Sequence, residues 1–274
     1  MREVIIFRKF QERAIWFLKY LFRTLGIGIT SYANLIKLLE KSSDRSFQDL
    51  EFIRALGPAN YESTISLLSK SRSQLRQDLF VLSEAKCTKK RGGYFVEFGA
   101  TNGIDLSNTY LLETEFSWTG ILAEPARVWE KQLKENRPNT FIETLCVWKD
   151  SNSSLTFNET DVPELSTVDI FSGKDGHKFT RLAGKKYEVK TISLNDLLVK
   201  HRAPKYIDYL SIDTEGSEYE ILKSFNFKEF SVGIITVEHN YTPQRELIFA
   251  LLASHGYKRK YENISAFDDW YVKS

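Results

Sequence analysis

Residues 94–125 read YFVEFGATNGIDLSNTYLLETEFSWTGILAEP, and their order decides the fold. Tyr94–Phe98 is a short aromatic and β-branched run, the composition of a strand. Glu97-Phe98-Gly99-Ala100-Thr101-Asn102-Gly103 is a turn that only small residues allow. Ser107-Asn108-Thr109 opens a helix. Trp118–Ala123 is the next strand, with Glu124 at its carboxyl end and Pro125 after it. Strand, glycine loop, helix, strand and acidic residue are how an α/β sheet holds a nucleoside: glycines let the backbone approach the ligand, and the carboxylate accepts the ribose hydroxyls.

The loop spacing discriminates between nucleosides. A dinucleotide site uses G-x-G-x-x-G, so that a helix N-terminus faces a pyrophosphate. Here the pattern is E-x-G-x-x-x-G, with the Glu97 carboxylate two residues before Gly99. An anion there repels phosphate and suits the cationic amino-acid end of S-adenosylmethionine.

Composition narrows the class. The chain has 274 residues, 42 % hydrophobic and 27 % charged, which suits one large domain with a buried core, or one domain with an extension. A formal net charge of +2 does not point to nucleic acid. Two cysteines, Cys87 and Cys146, suggest neither a disulfide framework nor a cysteine zinc site and fit a reducing, cytoplasmic setting. No apolar run reaches transmembrane length, and Arg8, Lys9 and Arg13 interrupt the early apolar residues of what would be a signal peptide.

Residues 1–25 carry Phe7, Phe10, Ala14, Phe17, Leu18, Leu21 and Leu25 at helical spacing, with Arg2, Lys9, Arg13 and Arg23 opposite. Such a helix lies in a membrane interface, or docks on its own domain or on a second subunit of a homo-oligomer. Two shorter helices are expected over 30–70, broken at Gly57-Pro58. A further helix, capped by Ser71, is expected to run towards Lys90 and stop at Arg91-Gly92-Gly93. From there strand and helix alternate, which implies a parallel sheet with right-handed crossovers. Strands are expected near 94–98, 119–123, 140–143, 187–191, 206–212 and 232–238. Two more, near 256–262 and 268–273, form a hairpin at the sheet end. Residues 158–186 lack periodicity and read as a lid, a substrate loop or a solvated insertion, with His177 an exposed loop residue.

A second signal follows Tyr206–Ile212. Asp213-Thr214-Glu215-Gly216-Ser217-Glu218 places three carboxylates at a strand's carboxyl end, the edge where open α/β sheets bind ligands. The run Val232–Val237 ends in Glu238-His239-Asn240, so Asp213, Glu215, Glu238 and His239 are expected in one cleft. His239 is a candidate general base. Asp213 is a candidate base or substrate-orienting group. Asp213, Glu238 and His239 are alternatively ligands for a divalent ion, a reading not favoured because they form no tight ligand motif. Glu215 or Glu218 alternatively caps the next helix.

With these residues in hand, the chain resembles the FkbM-type S-adenosylmethionine-dependent methyltransferases. The resemblance is carried by SQLRQD at 73–78, FVEFGATNGIDLSNT at 95–109, WTGILAEP at 118–125, VKTISLNDLL at 189–198 and IDYLSIDTEGSEYEILKSF at 207–225. It implies a Rossmann-like α/β domain over 71–274, a seven-strand class I methyltransferase sheet with helices on both faces and its last strand antiparallel, behind a helical extension over 1–70. It implies Glu97, Gly99 and Gly103 around the methionine end of the cofactor, with Phe98, Ala100, Asn102, Ser107 and Asn108 completing that loop. Glu124 and Pro125 would meet the ribose, Cys146 and Val147 the adenine, and Asp213 the methyl group and the acceptor. Members of that family are mostly O-methyltransferases of sugar or natural-product hydroxyls, so the expected partner is a hydroxyl-bearing sugar or glycolipid. A small natural product is the alternative acceptor, and a scaffolding domain that lost catalysis is the alternative class. Nucleic acid is not expected: Asn-Pro-Pro-Tyr, Asp-Pro-Pro-Tyr and a Pro-Cys nucleophile are all missing from the sequence.

Overall fold

Seven of the eight strands expected from the sequence join one sheet. The computed structural model describes residues 45–84 and 92–274. The chain divides into two compact units, Met1–Gln48 and Asp49–Ser274. The amphipathic helix of residues 1–25, most of the first helix expected after residue 30, Cys87 and the run towards Lys90 lie outside the described residues.

The helical residues ahead of the sheet are α1 (Arg45–Leu56), α2 (Tyr61–Leu67) and α3 (Gln77–Glu84). Gly57, at φ 75°, and Pro58 separate α1 from α2 as expected. Residues 49–70, assigned above to the extension, contribute Phe52 and Leu56 to the core of the second unit. The helix expected to start at Ser71 instead begins at Gln77. Arg76 turns left-handed at φ 71° and ends the preceding loop. Asp78 holds that loop: it accepts from the Ser71 hydroxyl (2.7 Å) and the Arg72 amide (3.2 Å), while its own amide donates to the Ser73 hydroxyl. Serine capping is present, but Ser73 supplies it across a loop.

The sheet contains β1 (Tyr94–Phe98), β2 (Thr119–Ala123), β3 (Phe141–Glu143), β8 (Tyr206–Ile212), β9 (Ser231–Glu238), β10 (Tyr257–Lys260) and β11 (Asp268–Lys273). Their spatial order is β10-β11-β9-β8-β1-β2-β3. All neighbours run parallel except β11, which is antiparallel to both β9 and β10. This is the expected seven-strand arrangement with its last strand reversed.

Alternation along each strand divides the core between two faces. Val96, Ile121, Leu210 and Ile235 meet α6 (Leu194–Lys200), α7 (Glu218–Ser224) and α8 (Gln244–Ser254). Phe95, Leu122, Tyr209 and Ile234 meet α1, α3, α4 (Tyr110–Phe116) and α5 (Glu130–Asn136). The Trp270 ring stacks on Phe80 at 4.8 Å between centroids, closing the second face.

The segment expected to be irregular over 158–186 is so between Glu159 and Lys185 except for one two-residue strand, and a second sheet frames it. β4 (Cys146–Trp148), β5 (Ser154–Glu159), β6 (Thr167–Val168) and β7 (Lys185–Ser193) form a second sheet in the order β4-β7-β5-β6. The strand expected at 187–191 is β7 and belongs here. Short 3₁₀ turns at Pro163–Leu165, Asp169–Phe171 and Thr180–Ala183 fill the intervals. β5 and β7 pair antiparallel over six residue pairs. The buried side chains of Phe157, Val168, Phe171 and Val189 form a small core of their own.

Candidate active site

Register assembles the site. Phe98 pairs with Ala123 and with Ile212, and Ile212 pairs with Val237. The residues that follow at this edge, Gly99, Glu124 and Asp213, together with Glu238 at the end of β9, therefore lie side by side across four strands. They border a cavity of about 300 Å³.

Eleven of the residues singled out from the sequence line this cavity: Glu97, Phe98, Gly99, Asn108, Glu124, Pro125, Cys146, Val147, Asp213, Glu215 and Glu238. Ala100, Asn102, Gly103 and Ser107 stand behind its wall. Asn102 accepts the amides of Ile104 and Asp105 on its Oδ1, both at 2.9 Å, and so shapes the loop. Gly103 sits at φ 80°, where a Cβ would lie 2.7 Å from both Arg137 and Leu133; it seats the loop on α5 rather than on a ligand.

Glu97 is buried and its oxygens are engaged. They accept from the Ser107 hydroxyl at 3.0 Å, the Asn108 amide at 2.7 Å and the Thr109 hydroxyl. Burial pushes its carboxyl up, against the pull of Arg137 and these hydrogen bonds. Beside it, Asn108 donates to Ser211 at 2.9 Å, while its buried Oδ1 has no protein partner. Glu124 accepts the amides of Thr101 (3.0 Å) and Ala126 (2.8 Å). Burial pushes its carboxyl up to about 7 despite those two donors. An unpartnered amide oxygen and two carboxylates make a cavity that favours a donor-rich, cationic ligand.

Asp213, Glu215 and Glu238 converge, with one oxygen of each within 4.8 Å of the others. Burial, then the neighbouring Asp268, pushes Asp213 up to about 7. Burial, then Asp213, pushes Glu215 up to about 8. Glu238 is raised well above the ordinary range by burial, Asp213 and Glu215. Such a cluster retains protons near neutrality and offers a carboxylate basic enough to take a proton from a polarised hydroxyl. Glu218 is not a fourth member. Its Oε1 accepts the Thr214 amide (3.0 Å), the Thr214 hydroxyl (2.9 Å) and the Gly216 amide (2.9 Å), which ties down the loop ahead of the helix rather than capping the helix amides.

His239, expected in this cleft as a general base, does not line the first cavity, and its buried Nε2 has no hydrogen-bond partner. Its side chain is 1 % exposed, its Nδ1 accepts the Tyr241 amide at 3.0 Å, and its Nε2 lies 3.7 Å from Asp269. Burial lowers its pKa. The residue borders a second cavity of about 350 Å³, shared by Phe171, Lys174, Gly216 and Gln244. Glu215, Glu238 and Asn240 line both cavities and so stand between them, whereas Asp213 lines the first alone. The chain is strained there: Glu215, Asn240 and Tyr241 have φ of 59°, 45° and 55°.

Sequence reasoning passed over the residues that the second sheet brings in. Arg181 is buried and donates to both oxygens of Asp175 (2.9 and 2.8 Å), to Glu215 Oε2 (2.7 Å) and to the Leu165 carbonyl (2.7 Å). Thr167 donates to the Glu215 carbonyl at 2.9 Å. His177, read as an exposed loop residue, lines the first cavity, as do Gln74 and Gln77. The block SQLRQD at 73–78 was the available signal for the glutamines; for Arg181 there was none.

A seven-stranded α/β sheet with its last strand reversed, and with acidic residues at its strand ends, defines a class I methyltransferase domain. The chain belongs to the methyltransferase FkbM domain family, which matches residues 97–259. No curated protein matches the sequence significantly. Among solved structures, the chain is similar to a methyltransferase FkbM from Methylobacillus flagellatus, with 11 % identity and a TM-score of 0.46 over 82 % of this chain and 58 % of that one. It thus spans little more than half of that protein's length. A precorrin-6y C5,15-methyltransferase from Geobacter metallireducens aligns with 10 % identity and a TM-score of 0.39, over 71 % of this chain and 85 % of that one.

Proposed function

We propose that this protein is an S-adenosylmethionine-dependent O-methyltransferase acting on a hydroxyl group, with a sugar of a glycan or glycolipid as the acceptor class. The observation that carries this reading is the Asp213–Glu215–Glu238 cluster, in which Glu215 and Glu238 line both cavities and Asp213 lines the first. A base is useful where one ligand on each side must meet.

The cofactor supplies a methyl group on a positively charged sulfur. The first cavity suits it: Asn108 Oδ1 lacks a partner, and Glu97 and Asp213 give that end a negative potential matched to its ammonium group. Glu124 takes the ribose hydroxyls. Cys146 and Val147, both buried at the cavity wall, flank the adenine. Asp213 accepts the acceptor's hydroxyl proton, and Glu238 and Glu215 set how readily it does so. The remaining contribution is positioning of the acceptor oxygen. A polyhydroxylated acceptor matches the second cavity, where the Oε1 of Gln244 is buried without a partner and carboxylates are at hand. Among the described residues no helix is long and apolar enough to cross a membrane. The carboxylate wall is also the place where a divalent ion would bind, and metal dependence is decided by the same assay.

The test is calorimetric titration with S-adenosylhomocysteine, with NAD as control, followed by methyl transfer to a panel of sugars and aromatic alcohols with and without chelator. Binding of S-adenosylhomocysteine with transfer to sugar hydroxyls supports the reading. Binding with transfer only to non-sugar alcohols favours the natural-product acceptor, and failure of a folded sample to bind at all favours a scaffolding domain.

A further inference from the structure

Phe179 and Leu182 are the most exposed large hydrophobic residues among those described, at 73 % and 79 %. They are neighbours in space as well as in degree. Both belong to the turn Phe179–Ala183, where the Leu182 amide donates to the Phe179 carbonyl, and residues three apart on a 3₁₀ turn project in the same direction. Single exposed hydrophobics are ordinary; a paired, outward-facing Phe and Leu on one short turn are less so.

The turn is held in place from inside. Arg181, between the two apolar residues, points the opposite way and is fully buried in its bonds to Asp175, Glu215 and Leu165. Asn158 donates to the Arg181 carbonyl at 2.9 Å. Pro163, Glu164 and Leu165, the turn that Arg181 grips, line the mouth of the first cavity. The apolar pair is thus presented on a fixed support beside the site.

Its surroundings are basic. Lys178 lies with its Nζ 5.0 Å from the Phe179 ring centroid, and Lys174 and Lys185 are exposed on either side of the turn in sequence. The nearby acids Asp175 and Asp169 are neutralised by Arg181 and Lys186. Asp161 and Glu164 are exposed acids of the same insertion, the latter on the cavity wall. Two exposed apolar side chains with Lys178 against one of them, in a lysine-rich stretch of sequence, match the boundary of an anionic bilayer, where acyl chains take the apolar tips and headgroup phosphates meet the ammonium groups.

We infer that the Phe179–Leu182 turn is a membrane-docking tip that seats the mouth of the active site on an anionic lipid surface. The inference is independent of the acceptor's identity, since it rests on the turn and not on the chemistry at Asp213.

The experiment is co-sedimentation of the full chain with phosphatidylcholine vesicles, with and without phosphatidylglycerol. The wild type is expected to bind the anionic vesicles and to bind neutral ones weakly. Phe179→Asp with Leu182→Asp is expected to lower partitioning at least about tenfold, since two buried apolar side chains are lost from the interface. Because both residues are exposed, the melting temperature should be unchanged. Lys178→Glu, which leaves the apolar tips in place, should weaken binding to anionic vesicles alone. No binding of the wild type to anionic vesicles overturns the inference. So does equal binding by the double variant, which would assign the contact to another part of the chain. A wild-type dimer that becomes a monomer in the double variant, with vesicle binding intact, overturns it in favour of a second copy as the occupant.

Discussion

The backbone carbonyl oxygen of Asp213 lies 2.0 Å from where a β-carbon on Gly99 would stand. The first loop and the second acidic strand end are therefore in contact without an intervening side chain, and Gly99 is left-handed at φ 70°. Gly99→Ala must push the two strand ends apart and also strain its own backbone. The expected outcome is a loss of several kcal/mol, on the order of 3, with S-adenosylhomocysteine binding lost as well. Thermal unfolding and calorimetry together check this; a stable, binding-competent variant would show that the contact is dispensable.

Glu124→Ala leaves the Thr101 and Ala126 amides unpaired and, on the proposed ribose role, removes the acceptor of the two hydroxyls. Affinity for S-adenosylhomocysteine should fall by about tenfold to a hundredfold. An unchanged dissociation constant would refute the ribose role.

Asp213→Asn should lower turnover by about 10²- to 10⁴-fold while changing cofactor affinity much less. His239→Gln should leave turnover near the wild-type level, because that ring is turned to Asp269 and the Tyr241 amide. A large loss in the histidine variant with folding intact would restore it as the base.

The carboxylate wall sets a pH dependence of two kinds. Asp213 is held at about 7, so turnover should rise as pH increases through 7 and the base loses its proton. Stability should move the other way. Asp213 and Glu215 have folded pKa values of about 7 and about 8, above their unfolded values of roughly 4, so the folded state binds more protons between pH 4 and 8. Their contribution is fully present below pH 4 and is lost as pH rises through 7 to 8. Asp213→Asn, which cannot ionise, should therefore raise the melting temperature at pH 8 relative to wild type and do so less at pH 5. Melting curves at the two pH values test it, and an equal shift at both would remove the charge explanation.

Arg181→Met strips the counter-charge from Asp175 and Glu215 at once. Breaking a buried pair from one side costs about 3–5 kcal/mol. Arg181→Lys should recover only part of that loss, because a point charge cannot serve Asp175 through two oxygens and also reach Glu215. Thermal unfolding of both variants separates charge from geometry.

The sheet was legible because its strands are apolar runs bounded by glycine or polar turns: Tyr94–Phe98, Thr119–Ala123, Tyr206–Ile212 and Asp268–Lys273 coincide with the sequence reading at both ends or within a residue. The acidic edge was legible because carboxylates at strand ends follow local rules. The second sheet was not. β6 is two residues long, and β5 alternates Leu and Phe with Ser, Thr and Asn too briefly to mark a face. Its partner β7 was read as a strand but given to the wrong sheet, since pairing is a long-range choice that periodicity does not encode. Which of the two cavities His239 meets was beyond local reading for a similar reason. His239 follows the last residue of β9, and its ring lies on the second cavity, where its Nδ1 accepts the Tyr241 amide.

Arg181 has a consequence for traffic through the site. Lifting the second sheet away as a flap would carry Arg181 and Asp175 off together and break the buried 2.7 Å contact between Arg181 and Glu215, which disfavours the raised form. Ligands must then come and go past a standing wall, and a change of clientele is most easily made by altering the turns along its rim while the arginine keeps its seat.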